Sequence, residues 1–93
     1  MRVNYERLPE AMRGGAQRYI ESGIAPGDFM SAVICNDLKE AIGRADSTNL
    51  PRLLDIVSFW YNEAPSNCWG SREKFLAWCR VRCIPRAQLQ GGL

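Results

Sequence analysis

Apolar positions recur along this chain at three- and four-residue intervals, and no segment alternates with the period of two that a half-buried strand requires. The pattern predicts four helices, over residues 9–22, 28–45, 49–62 and 71–83, joined by short punctuated loops. The expected fold is all-α, a compact single-domain bundle of about four helices. In the first helix Pro9 suits the opening position, Glu10 the first turn, and Gly23 follows the end. Met12, Ala16, Tyr19 and Ile20 form a narrow apolar stripe. The adjacent Gly14 and Gly15 weaken this helix by about 1 kcal/mol each relative to Ala. Close packing of a neighbouring helix over the missing side chains is the expected reason for them.

In the second helix, capped by Asp28, the residues Phe29, Met30, Val33, Ile34, Leu38, Ala41, Ile42 and Ala45 make a broad apolar face. Asp37 projects inside that arc, which predicts a buried carboxylate paired with an Arg from another helix. The third helix is apolar nearly all round. Leu53, Leu54, Ile56, Val57, Phe59, Trp60 and Tyr61 leave only a strip of Arg52, Asp55, Ser58 and Asn62, so this helix is central or shares one side with a partner. The fourth helix, capped by Gly70 or Ser71, presents Phe75, Leu76, Trp78, Cys79 and Cys83. Ile84-Pro85 is expected to stop it near Cys83, leaving residues 86–93 as a frayed tail.

Between the last two helices, Phe59-Trp60-Tyr61 and then Trp69 gather four of the nine aromatic residues around one turn. Such a concentration marks the keystone of a small core or a preformed contact surface. Trp60, Trp69 and Trp78 are expected near the centre of the bundle. The aromatic content, with a third helix apolar on nearly every side, exceeds what four helices easily enclose. A homodimer or a partner surface would use the surplus.

Composition narrows the class. A chain of 93 residues, 46% apolar and 24% charged, makes one globular domain. No apolar run approaches the roughly 20 residues that span a bilayer. The first residues lack the apolar segment of a signal peptide, so a soluble cytoplasmic protein with reduced cysteines and no membrane contact is expected. Charge is uneven: residues 1–71 hold seven basic and nine acidic side chains, net −2, whereas residues 72–93 hold five basic and one acidic, net +4. Ten of the twelve basic residues are Arg, whose forked guanidinium suits contact surfaces. The candidate interaction surface is therefore Trp60, Tyr61 and Trp69 at the junction, with Arg72, Lys74, Arg80, Arg82 and Arg86 at the cationic end.

Catalytic chemistry has little to work with. The absence of histidine removes the commonest general base. The carboxylates are scattered, and Asp37 alone is expected in an unusual environment, as a structural ion pair before a catalytic acid. No phosphate-binding glycine loop is present, and no cofactor is expected. Cys79 and Cys83 lie four apart and could face Cys68 or Cys35, but structural zinc sites place cysteine pairs on tight turns, so buried thiols are the default. Nucleic-acid or nucleotide binding remains the alternative, resting on the Arg-rich end, although a pI near 8.5 is below the strongly basic range of dedicated DNA-binding domains.

The run from Arg18-Tyr19-Ile20 through Gly23-Ile24, Pro26-Gly27, Phe29, Asn36-Asp37-Leu38, Gly43-Arg44-Ala45-Asp46, Tyr61-Asn62-Glu63-Ala64-Pro65 and Cys68-Trp69-Gly70-Ser71 resembles small orphan proteins encoded by tailed phages and their prophages. It covers roughly residues 8 to 80. The resemblance implies a context rather than a site: a short phage protein without catalytic machinery, acting in the host cytoplasm by binding and occupying a host protein, such as a defence complex.

Overall fold

The computed structural model describes residues 3–91, with side chains through Val81. Five α-helices follow in order: α1 (Glu10–Ser22), α2 (Asp28–Ile34), α3 (Leu38–Arg44), α4 (Leu53–Glu63) and α5 (Arg72–Gly91). Short 3-10 turns at Tyr5–Arg7, Leu50–Arg52 and Ser66–Cys68 punctuate them, and no strand occurs among the described residues. The all-α fold holds, with five helices instead of four.

The extra helix comes from a break inside the expected second one. Asn36 adopts φ 61°, a left-handed conformation that Asn tolerates better than most residues. The Asn36 and Asp37 amides then turn back to the carbonyls of Val33 and Ala32 at 3.0 and 2.9 Å, closing α2. Asp37 begins α3 by accepting the Glu40 amide at 3.2 Å. The break also leaves the Ile34 carbonyl to receive the Gly70 amide at 2.7 Å, tying the end of α2 to the loop before α5. A second departure is at the carboxyl end, where α5 runs on to Gly91, past Ile84-Pro85 and through most of the stretch expected to fray.

The helices are packed around Tyr19, which is fully buried. Its ring stacks on Phe75 at 5.6 Å and meets the edge of Trp60 at 6.0 Å, and Trp60 in turn lies edge-on to Phe59 at 5.2 Å. The Tyr19 hydroxyl donates to the Cys68 carbonyl at 2.7 Å, so the one polar atom of the ring is satisfied inside the core. At the end of α1, Gly23 takes φ 71° and its amide returns to the Tyr19 carbonyl at 2.8 Å. The indole N–H of Trp78 reaches the same carbonyl at 2.9 Å and that of Ile20 at 3.2 Å. Those carbonyls belong to the last turn, where the helix runs out of amides and outside donors add to the Gly23 cap.

The amino-terminal turn is part of this body. Leu8 is buried, Tyr5 lies 5.9 Å from Phe59, and Glu63 at the end of α4 accepts both the Asn4 amide at 3.1 Å and the Arg7 guanidinium at 3.0 Å. The Asn4 amide first, and Arg7 with it, draw the Glu63 carboxyl below its ordinary pKa. The glycines of α1 are not covered by another helix. A methyl group on Gly15 would meet the Pro26 ring at an ordinary 3.9 Å, and one on Gly14 would meet only the Arg18 side chain of the same helix.

Candidate interaction surface

Helix α4 turns Ile56, Phe59 and Trp60 into the core, and this alone explains one face of its all-round apolarity. The opposite side carries Leu54, Val57 and Tyr61, spaced three and four residues apart, which keeps them on one line of the helix, and Leu50 is exposed in the 3-10 turn that precedes it. Leu54 is 78% exposed and Tyr61 77% exposed, values usual for charged side chains and costly for these two. Beside that line a groove of about 130 Å³ opens between α3 and α4. Val33, Leu38, Ala41, Leu53, Val57 and Trp69 form its walls, and Asn36 and Asp37 stand at its edge. Leu38 is 64% exposed, and Ile42, one turn further along α3, is also exposed. Leu38, Ile42, Leu54 and Tyr61 are thus large apolar side chains left exposed on α3 and α4.

The charges around this surface are mostly neutralised locally. Arg52 pairs with Asp55 at 3.0 Å, and Arg44 pairs with Glu40 at 2.6 Å and Asp28 at 3.4 Å. Hydrogen bonding to Glu40, ahead of the charges of Glu40 and Asp28, pushes the Arg44 pKa further up. Asp37 has no cation within ion-pair distance among the described residues. It is exposed, and its only hydrogen bond to a side-chain oxygen serves the start of α3. The buried Asp37–Arg pair expected from the helical wheel is therefore absent: the break at Asn36 rotates Asp37 out of the core and makes it a helix cap.

Of the junction aromatics, Trp60 is a core residue, fully buried, with its indole N–H directed at the Met30 sulfur at 3.3 Å, and it does not belong to any surface. Trp78 is buried as well. Trp69 is half-buried at the groove and Tyr61 stands free in solvent. Arg72, Lys74 and Arg80 are exposed on α5, but at about 100° per residue they spread over more than half of its circumference. Lys74 also donates to the Ser66 carbonyl at 3.3 Å. They form no single basic stripe. The side chains of Arg82 and Arg86, and that of Cys83, lie outside the described residues.

A second, polar cleft of about 170 Å³ separates α2 and α3 from the start of α5, with Ser31, Cys35, Arg44 and Arg72 among its walls. Burial pushes the Cys35 thiol pKa up, partly opposed by Arg72. The thiol is thus held protonated and unreactive. Cys68 is buried and Cys79 half-buried, and among the described residues no three cysteine or carboxylate groups come together to hold a metal ion. Among those residues, too, no helix is long and apolar enough to cross a membrane.

The sequence reading placed Tyr61 in the candidate surface and allowed this helix a shared side, but it did not separate Leu54 and Val57 from the core positions. The three-four spacing of Leu54, Val57 and Tyr61, apart from the core positions Ile56, Phe59 and Trp60, is the signal that separates the two faces. Comparison with family models, with characterised proteins and with solved structures finds no match for the chain.

Proposed function

We propose that this chain is a non-enzymatic, phage-encoded accessory protein that works in the host cytoplasm by binding and occupying a host protein, such as a component of a defence complex. The observation that carries the binding half of this reading is the unpaired apolar surface of α3 and α4, with Leu54 and Tyr61 more than three-quarters exposed. Large apolar side chains gathered in this way on a small domain favour association over solvation. The phage and host halves rest on the resemblance of the sequence. Relative to the sequence reading, the proposed contact keeps Tyr61 and Trp69, leaves out Trp60 and the cationic side chains of α5, and adds Leu38 and Leu54.

The test is recovery of tagged protein from host lysate, comparing wild type with the double variant Leu54→Glu, Tyr61→Glu and with Arg72→Glu, Arg80→Glu. A host protein retained by wild type and by the arginine variant, but lost by the Leu54/Tyr61 variant, is the expected result. All three proteins should share one melting temperature, because the altered side chains face solvent. Retention unaffected by the Leu54/Tyr61 change would reject this surface, and binding that collapses with added salt would favour the nucleic-acid reading instead.

A further inference from the structure

We draw no further inference here: the strongest candidate, the exposed apolar face of α3 and α4 with Leu38, Leu54 and Tyr61, carries nothing beyond the reading above, because nothing in the structure shows what covers it.

Discussion

Trp78 closes the end of α1 from fifty-nine residues away, its indole N–H lying 2.9 Å from the Tyr19 carbonyl and 3.2 Å from that of Ile20. Tyr19 answers from its other end by donating its hydroxyl to the Cys68 carbonyl at 2.7 Å. One residue of α1 thus joins the loop before α5 to the body of α5. Trp78→Phe keeps most of the ring and removes the donor, so a loss of about 1 kcal/mol is expected, because the Tyr19 carbonyl still holds the Gly23 amide. Tyr19→Phe leaves the Cys68 carbonyl without this donor and should cost about 1–2 kcal/mol. Urea unfolding of the two variants and of their combination checks both values. Strict additivity would mean that the two bonds act independently.

Alkaline pH should destabilise the protein in a defined window. Burial first, then the nearby Cys68, Cys79 and Cys35 thiols, raises the Tyr19 pKa far above its usual value. Tyr5 is pushed up to about 12 by burial and by Glu21. The unfolded chain releases these protons near pH 10 and the folded chain does not, so it holds more of them than the unfolded state there. The part of stability that the tyrosines carry is complete below pH 10 and falls as pH rises above it, by about 1.4 kcal/mol per pH unit for Tyr19 alone. Unfolding free energies from pH 9 to 12 should show the combined slope of the two tyrosines, and Tyr19→Phe should reduce it by about half, to the part that Tyr5 supplies. An unchanged slope in the variant would contradict the assignment.

The break between α2 and α3 makes a paired prediction. Asp37→Ala removes the cap on the Glu40 amide and should cost about 1 kcal/mol, whereas Asp37→Asn should cost only a few tenths. Asn36→Ala, forced into φ 61°, should lose about 1 kcal/mol, and Asn36→Gly should be close to neutral. If Asp37 formed a buried ion pair, Asp37→Asn would instead be the severe change in thermal melts.

Helix α1 carries room for stabilisation. Gly14→Ala and Gly15→Ala meet no obstruction beyond the Arg18 side chain and the Pro26 ring, so each should raise stability by about 0.5–1 kcal/mol. Calorimetry on the double variant is the direct check. A lowered melting temperature would show that an unfilled space at these positions matters to the fold.

The all-α fold was legible because apolar positions recur at three- and four-residue intervals and no segment alternates as a strand does, and the boundaries of α1 came directly from Pro9 and Gly23. The split of the second helix had its signal in Asn36-Asp37-Leu38-Lys39-Glu40, a residue tolerant of the left-handed region followed by a cap three residues before a glutamate. A continuous apolar arc outweighed it. The same oversight produced the buried ion pair, since Asp37 falls within the arc only if the helix is unbroken. Pro85 was read as a stop, yet the helical backbone passes it. Trp60 and Tyr61 are neighbours in the sequence, and only the choice of which face α4 turns inward, set by Tyr19, Phe59 and Met30, decides that one is core and the other surface.

Tyr19 is enclosed only when Trp60, Cys68, Phe75 and Trp78 have all arrived around it. On the ribosome these four partners are made in that order, after every residue of α1 and α2. A nascent chain interrupted before Phe75 would hold the first two helices with their central ring exposed. Such a fragment is open to proteases and to chaperones that recognise apolar segments, whereas in the folded chain the Tyr19 ring is buried. The enclosure of α1 is thus completed from α5, the helix that is made after α1 to α4.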